Sequence, residues 1–150
     1  MTREFVAALS AAMGRKIAAA DPGGRRLPTL ARALHAAFAA PDTAAAAGVL
    51  NELMRRYRSR PYLTEDVGQP FHLHFHGEAA NAVDSLGGEF ATALALVIDA
   101  YGHKRFGLCQ AHACDRAYVD LTRNGSRRYC SEACTARAKM AAYRERKSGA

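Results

Sequence analysis

The sequence predicts an α+β fold: a mostly helical N-terminal body with a β-hairpin, followed by a small module stapled by metal. Three observations predict it. Alanine-rich stretches place larger apolar residues at helical spacing through most of residues 1–102. A short region from Pro61 to Gly77 changes to two extended runs, the second in apolar/polar alternation. All 4 cysteines of the 150-residue chain fall between positions 109 and 134.

The elements follow in order. Phe5, Leu9, Met13 and Ile17 recur at i, i+4, i+8 and i+12, which predicts an amphipathic first helix ended by "DPGG" at 21–24. Its apolar run is broken by Glu4, Ser10, Arg15 and Lys16, so it is read as neither an export signal nor a membrane span, and a cytoplasmic location is expected. A second helix starts near Pro28 and Thr29, carries Leu30, Leu34 and Phe38 on one face, and stops at Pro41. Asp42 is placed to cap a third, with Val49, Leu50, Leu53, Met54 and Tyr57 as its buried stripe.

"PYLTEDVGQPFHLHFHG" then reads as two strands joined by a turn. In the second strand Phe71, Leu73 and Phe75 alternate with His72, His74 and His76. The expected arrangement buries the apolar set and leaves the histidines on a polar face, with a small-ligand pocket at His72, His74 and His76 as the sharper alternative. No third, non-histidine ligand is identifiable from the sequence, so a tight metal site is not expected there. Asn81 to Tyr101 reads as one long helix, weakened by Gly87 and Gly88.

The cysteines are spaced C-x4-C, fifteen residues, then C-x3-C. Two close pairs separated by a folding-back segment suit tetrahedral Zn²⁺, each pair giving two thiolates from one turn. Cys109, Cys114, Cys130 and Cys134 are therefore the expected ligands of one structural zinc. Four thiolates close the shell and leave no position for catalysis. His112 is then a loop residue and not a ligand. Disulfides and redox chemistry are the competing readings, disfavoured in a chain without an export signal. Between the pairs, Ala117, Val119 and Leu121 alternate with polar residues, and "RNGS" carries an Asn-Gly turn signal. This predicts a hairpin leading from the first knuckle to the second, and Ser131-Glu132 open a C-terminal helix. The result is a treble-clef-like zinc finger over residues 103–150, with residues 1–102 as the body.

The formal charge is +7, and its placement is informative. Residues 1–102 balance ten basic against ten acidic side chains, whereas residues 103–147 hold eleven basic and four acidic ones. The finger thus carries the whole excess, which suits a polyanionic partner. Arg123, Arg127 and Arg128 flank the turn, while Arg137, Lys139, Arg144 and Arg146 decorate the helix, and these are the candidate nucleic-acid contacts. Tyr118, Tyr129 and Tyr143 are scattered, which favours duplex DNA over single strands, though RNA stays open. The alternatives are a solvated charged face and a protein-interaction adaptor. No phosphate loop, nucleophile elbow or triad is recognisable, so no enzyme is expected.

The segment "CQAHACDRAYVDLTRNGSRRYCSEACTARAKMAAYRERK" resembles the CGNR-type zinc finger of bacterial proteins that carry an N-terminal ABATE domain, described as stress-induced transcription regulators. The resemblance rests on the C-x4-C knuckle, "YVDLTRNGSRRYC", and the arginine-rich helix after the last cysteine. The order of parts in the body agrees with it more loosely. The family's Cys-Gly-Asn-Arg stands here as Cys134-Thr135-Ala136-Arg137. The resemblance implies a transcription regulator that binds DNA through the finger. Its body would then serve ligand sensing or dimerisation, with a small-molecule effector and a second copy of the chain as candidate partners.

Overall fold

A computed structural model describes residues 20–65, 68, 70–76 and 81–148. The helix expected around Phe5, Leu9, Met13 and Ile17 lies outside them. In chain order the described elements are α1 (Arg26–Phe38), α2 (Thr43–Arg56), β1 (Tyr62–Thr64), β2 (His72–His74), α3 (Ala82–Tyr101), a 3₁₀ turn (His103–Arg105), β3 (Phe106–Leu108), β4 (Ala117–Val119) and α4 (Glu132–Ser148). The architecture is α+β, four helices with two small antiparallel hairpins. None of the described helices is long and apolar enough to cross a membrane.

Helix α1 begins two residues before Pro28, because its cap comes from further back. The buried Asp21 carboxylate accepts hydrogen bonds from the backbone N–H groups of Arg25, Arg26 and Leu27 at 2.9, 3.0 and 2.9 Å. Three amides of the first turn, which no helical carbonyl can satisfy, are thereby paired. They hold the Asp21 carboxyl below the usual carboxylate range, the Leu27 amide contributing most. Asp42 caps α2 as its sequence position indicates, accepting from the Ala45 amide at 2.8 Å. Asn81 does the same for α3, accepting from Val83 and Asp84. The two starts are tied together by Arg26, which donates to Asn81 Oδ1 at 3.1 Å and to Asp84 Oδ1 at 2.5 Å.

The three helices enclose one core of Leu27, Leu30, Leu53, Tyr57, Val83, Leu86 and Ala91, with Leu34, Val49 and Met54 packed against it. The stripe expected on α2 is therefore the one that faces inward. Phe38, at the end of α1, packs its ring on Phe106 of the finger, with centroids 4.6 Å apart. Beside it His35 Nε2 donates to the Asp115 carbonyl at 2.8 Å. Helix α1 thus abuts both the body core and the finger.

Gly87 and Gly88 are not simply weak points in α3. A Cβ on Gly87 would lie 2.4 Å from Cγ of the buried Tyr57, and one on Gly88 would lie 2.7 Å from the Phe75 carbonyl oxygen. Both glycines let a neighbour close on the helix to a distance that no side chain permits. Gly87→Ala is accordingly expected to displace the Tyr57 ring and to destabilise the body by about 1–3 kcal/mol, the usual cost of overpacking a filled core. Urea unfolding checks this, as a lower midpoint at unchanged slope.

The body hairpin forms where the alternation places it, with Tyr62↔His74, Leu63↔Leu73 and Thr64↔His72 in register. Its faces are the reverse of those expected. Phe71 is 63% exposed and Leu73 56% exposed, while His72, His74, Phe75 and His76 are half-buried. The histidine face turns inward because α3 offers it a polar partner: Glu89 Oε1 accepts from the Phe75 amide at 2.8 Å and lies 3.1 Å from His74 Nδ1.

The finger also departs from expectation in one respect. β4 pairs back with β3, in the register Phe106↔Val119, Gly107↔Tyr118 and Leu108↔Ala117, so the first cysteine knuckle is itself the hairpin end. "RNGS" is a turn, with Gly125 at φ +60°, but it joins no second pair of strands, and Leu121 is exposed. The reason is Asp120. Its buried carboxylate accepts from Thr122 N at 2.8 Å, Thr122 Oγ1 at 2.6 Å and Arg127 N at 2.7 Å. Those bonds hold the segment from Thr122 to Arg127 as a loop and take up amides that a strand ladder would need.

Candidate metal centre and basic surface

Each cysteine reaches the centre from a defined piece of backbone. Cys109 follows β3 and its amide donates to the Arg116 carbonyl at 2.9 Å, which closes the knuckle. Within the knuckle Ala113 takes φ 54°, and the Cys114 amide returns to the Ala111 carbonyl at 3.1 Å. On the other side Cys130 precedes α4 and Cys134 lies in its first turn. Ser131 Oγ accepts from the Cys134 amide at 3.3 Å, the bond expected of a helix N-cap.

The four sulfurs all lie within 4.8 Å of one another. Cys114 to Cys130 is 3.8 Å, Cys130 to Cys134 is 3.6 Å and Cys134 to Cys114 is 3.8 Å. A tetrahedral zinc with Zn–S of about 2.3 Å requires S···S separations of about 3.8 Å. A disulfide requires about 2.05 Å. All four cysteines are free; Cys114, Cys130 and Cys134 stand at the spacing of a zinc tetrahedron, with Cys109 Sγ within 4.8 Å of each. His112, exposed on the knuckle, stays outside this set.

The surroundings act unequally on the sulfurs. The Ser131 hydroxyl holds the Cys134 thiol down to about 6. Burial pushes the Cys130 thiol up to about 12. Burial also raises Cys109, but the amides of Cys130 and Ala111 and the neighbouring thiols outweigh it and leave the group lowered. The Cys130 amide points at Cys109 Sγ from 3.3 Å, and Arg137 Nη2 donates to Cys134 Sγ at 3.0 Å. Donors of this kind offset the negative charge that four thiolates leave around a divalent ion.

Residues 105–147 match the CGNR zinc finger. The match covers the hairpin, both cysteine pairs and α4, under a third of the chain. A search of curated proteins finds no match. Sequence family and sulfur geometry therefore agree on a finger suited to one zinc ion, held by Cys109, Cys114, Cys130 and Cys134.

The basic residues sort into two groups around the finger. Arg127 is exposed but occupied: its Nε donates to the Tyr129 carbonyl at 2.8 Å, Nη2 to the Cys130 carbonyl, and its guanidinium lies 5.0 Å from the Tyr118 ring centre. Arg128 Nε donates to Gln110 Oε1 at 2.8 Å, while the Gln110 amide donates to the Arg128 carbonyl at 3.0 Å. Arg128 thus ties the two knuckles together, while Arg127 and Arg137 hold groups within the second. Arg123, Lys139, Arg144 and Arg146 are exposed, and among the described residues their side chains make no hydrogen bond or ion pair. Only Cys134 of α4 is buried, so the helix leaves the finger with its basic sides open.

Sequence reasoning named all four metal ligands but missed the supporting parts. The loop held by Asp120 and the bond from Arg128 to Gln110 depend on contacts away from the local sequence, whereas Ser131, read as the start of the helix, is indeed its cap. Arg137, three residues beyond Cys134, had the clearest signal, since i and i+3 share a helix face. In the body, the hairpin brings His72, His74 and His76 together with Glu89, a residue that sequence reasoning did not single out.

Proposed function

We propose that the chain is a transcription regulator that binds duplex DNA through the zinc finger. The observation that carries this is the exposed helix α4, on which Lys139, Arg144 and Arg146 stand unengaged in a module that holds the chain's entire excess positive charge. The zinc centre fixes the start of this helix, and so fixes where its charges lie. A helix of this kind can enter a major groove or lie along phosphates, with guanidinium groups serving either contact. Arg123, on the loop before the second cysteine pair, adds an exposed positive charge to the same module. The resemblance of the finger to that of ABATE-domain regulators points the same way and assigns the helical body to sensing or dimerisation.

The test is titration of labelled duplex DNA with zinc-loaded protein at two salt concentrations. Binding that weakens steeply with salt supports the reading. No binding even at low ionic strength would replace it with a protein adaptor, whose partner would present an acidic surface to α4.

A further inference from the structure

We propose that His74, His76 and Glu89 form a second metal site, separate from the four cysteines, that takes a divalent transition-metal ion such as Zn²⁺, Co²⁺ or Ni²⁺. His74 and His76 are two apart on one extended segment and so face the same way. Glu89 reaches them from α3, next to Gly88. A side chain at 88 would strike the Phe75 carbonyl at 2.7 Å, so this glycine is what lets the segment settle close enough for Glu89 to meet both histidines.

The donor atoms are already set at coordination spacing. His74 Nδ1 is 3.1 Å from His76 Nε2 and 3.1 Å from Glu89 Oε1, and His76 Nε2 is 3.8 Å from Glu89 Oε1. Metal–ligand bonds of about 2.0–2.1 Å put tetrahedral neighbours about 3.4 Å apart. The three separations bracket that value. Two histidines and one glutamate are the ligand set of open sites, in which water or a small donor molecule completes the shell. All three side chains are half-buried, at 26%, 19% and 29% exposed, so an ion can enter.

Hydrogen bonds to the outer nitrogens suit the tautomers that metal binding needs. The Pro70 carbonyl can only accept, so His72 Nδ1, 2.8 Å away, carries a proton. His72 Nε2 is then the atom that meets His74 Nε2, 2.9 Å away, and in the tautomer that suits metal binding His74 is the donor. That tautomer leaves a lone pair at His74 Nδ1, the atom that faces Glu89 Oε1 and His76 Nε2. A metal ion between these three atoms would take their lone pairs in place of the hydrogen bonds that now join them, and outward donation by His74 is the support that metal-bound histidines usually have. The Phe75 amide, 2.8 Å from Glu89 Oε1, fixes the carboxylate in the same manner. A proton can fill the position in place of a metal, and the experiment separates the two.

Protein carrying one zinc at the cysteines is titrated calorimetrically with Co²⁺, and the absorption spectrum is followed. Wild type is expected to take one further equivalent, showing ligand-field bands without new thiolate charge transfer. Glu89→Gln keeps an oxygen to accept from Phe75, so the fold survives while the charged ligand is lost. Together with His76→Gln it is expected to abolish the second equivalent and leave cysteine-bound zinc and helical circular dichroism unchanged. His72→Gln, which removes only the support, is expected to weaken Co²⁺ binding about 10–100-fold. A wild type that takes no further equivalent up to millimolar Co²⁺ overturns the proposal, since the position then holds only a proton. Undiminished binding in the double variant overturns it too, by placing the ion elsewhere.

Discussion

Replacing any one of Cys109, Cys114, Cys130 or Cys134 by serine is expected to remove zinc from the finger and unfold it. The module has little else to fold with. Its own buried cluster is Cys109, Ala111 and Cys134, with Cys114, Tyr129 and Cys130 around it, so the ligands are themselves the core. For such a module metal binding is folding, with apparent energies of about 10–16 kcal/mol for structural zinc. Three thiolates retain a fraction of that, and the fourth position opens to water. The body should keep its helices, because its core of Leu27, Leu30, Leu53, Tyr57, Val83 and Leu86 includes no residue of the finger. Some loosening is expected at the end of α1, where Phe38 and His35 lose Phe106 and the Asp115 carbonyl. Elemental analysis together with circular dichroism reads both effects: zinc lost from the cysteines, and helix signal reduced by about the share of α4.

The second large effect is electrostatic. The combined variant Lys139→Ala, Arg144→Ala, Arg146→Ala should bind duplex DNA far more weakly than wild type, and its dependence on salt should be shallower. Every phosphate that is no longer neutralised lowers the slope of log affinity against log salt by about 0.9. If all three residues sit on phosphates, the slope falls by roughly 2.7. These positions make the cleanest test because they brace nothing among the described residues, so zinc content and helix signal should be unchanged. Arg137→Ala mixes two effects, since its guanidinium also supports Cys134 Sγ from 3.0 Å. A base-reading arginine behaves differently, losing about 1–3 kcal/mol on a preferred sequence and little on others. Unchanged affinity in the triple variant would take α4 out of the interface.

The sequence was most legible where chemistry is local. Cysteine spacing sufficed for the zinc ligands, because each pair sits within one turn. Asp42 capped α2 because a cap acts over three residues. The α2 stripe was right because helical spacing identifies a face and the body has a single core.

Legibility failed where a distant partner decides. Alternation in "HLHFH" shows which residues share a side of the strand but not which side is inward, and Glu89 on α3 settled that in favour of the histidines. The Asn-Gly signal in "RNGS" was a genuine turn, but Asp120 captured its flanking amides and β3 had already paired with β4. Asp21 moved the start of α1 by reaching across the preceding turn. Gly87 and Gly88 looked like defects in a helix, whereas their purpose lies in Tyr57 and the Phe75 carbonyl.

Four thiolates around one zinc are expected to hold the finger and aim its basic helix. X-ray absorption at the zinc edge, on protein carrying a single equivalent, tests it most directly. Four sulfur neighbours at about 2.3 Å are expected. A shell dominated by nitrogen or oxygen at about 2.0–2.1 Å would contradict the account, since the first zinc would then lie away from the cysteines.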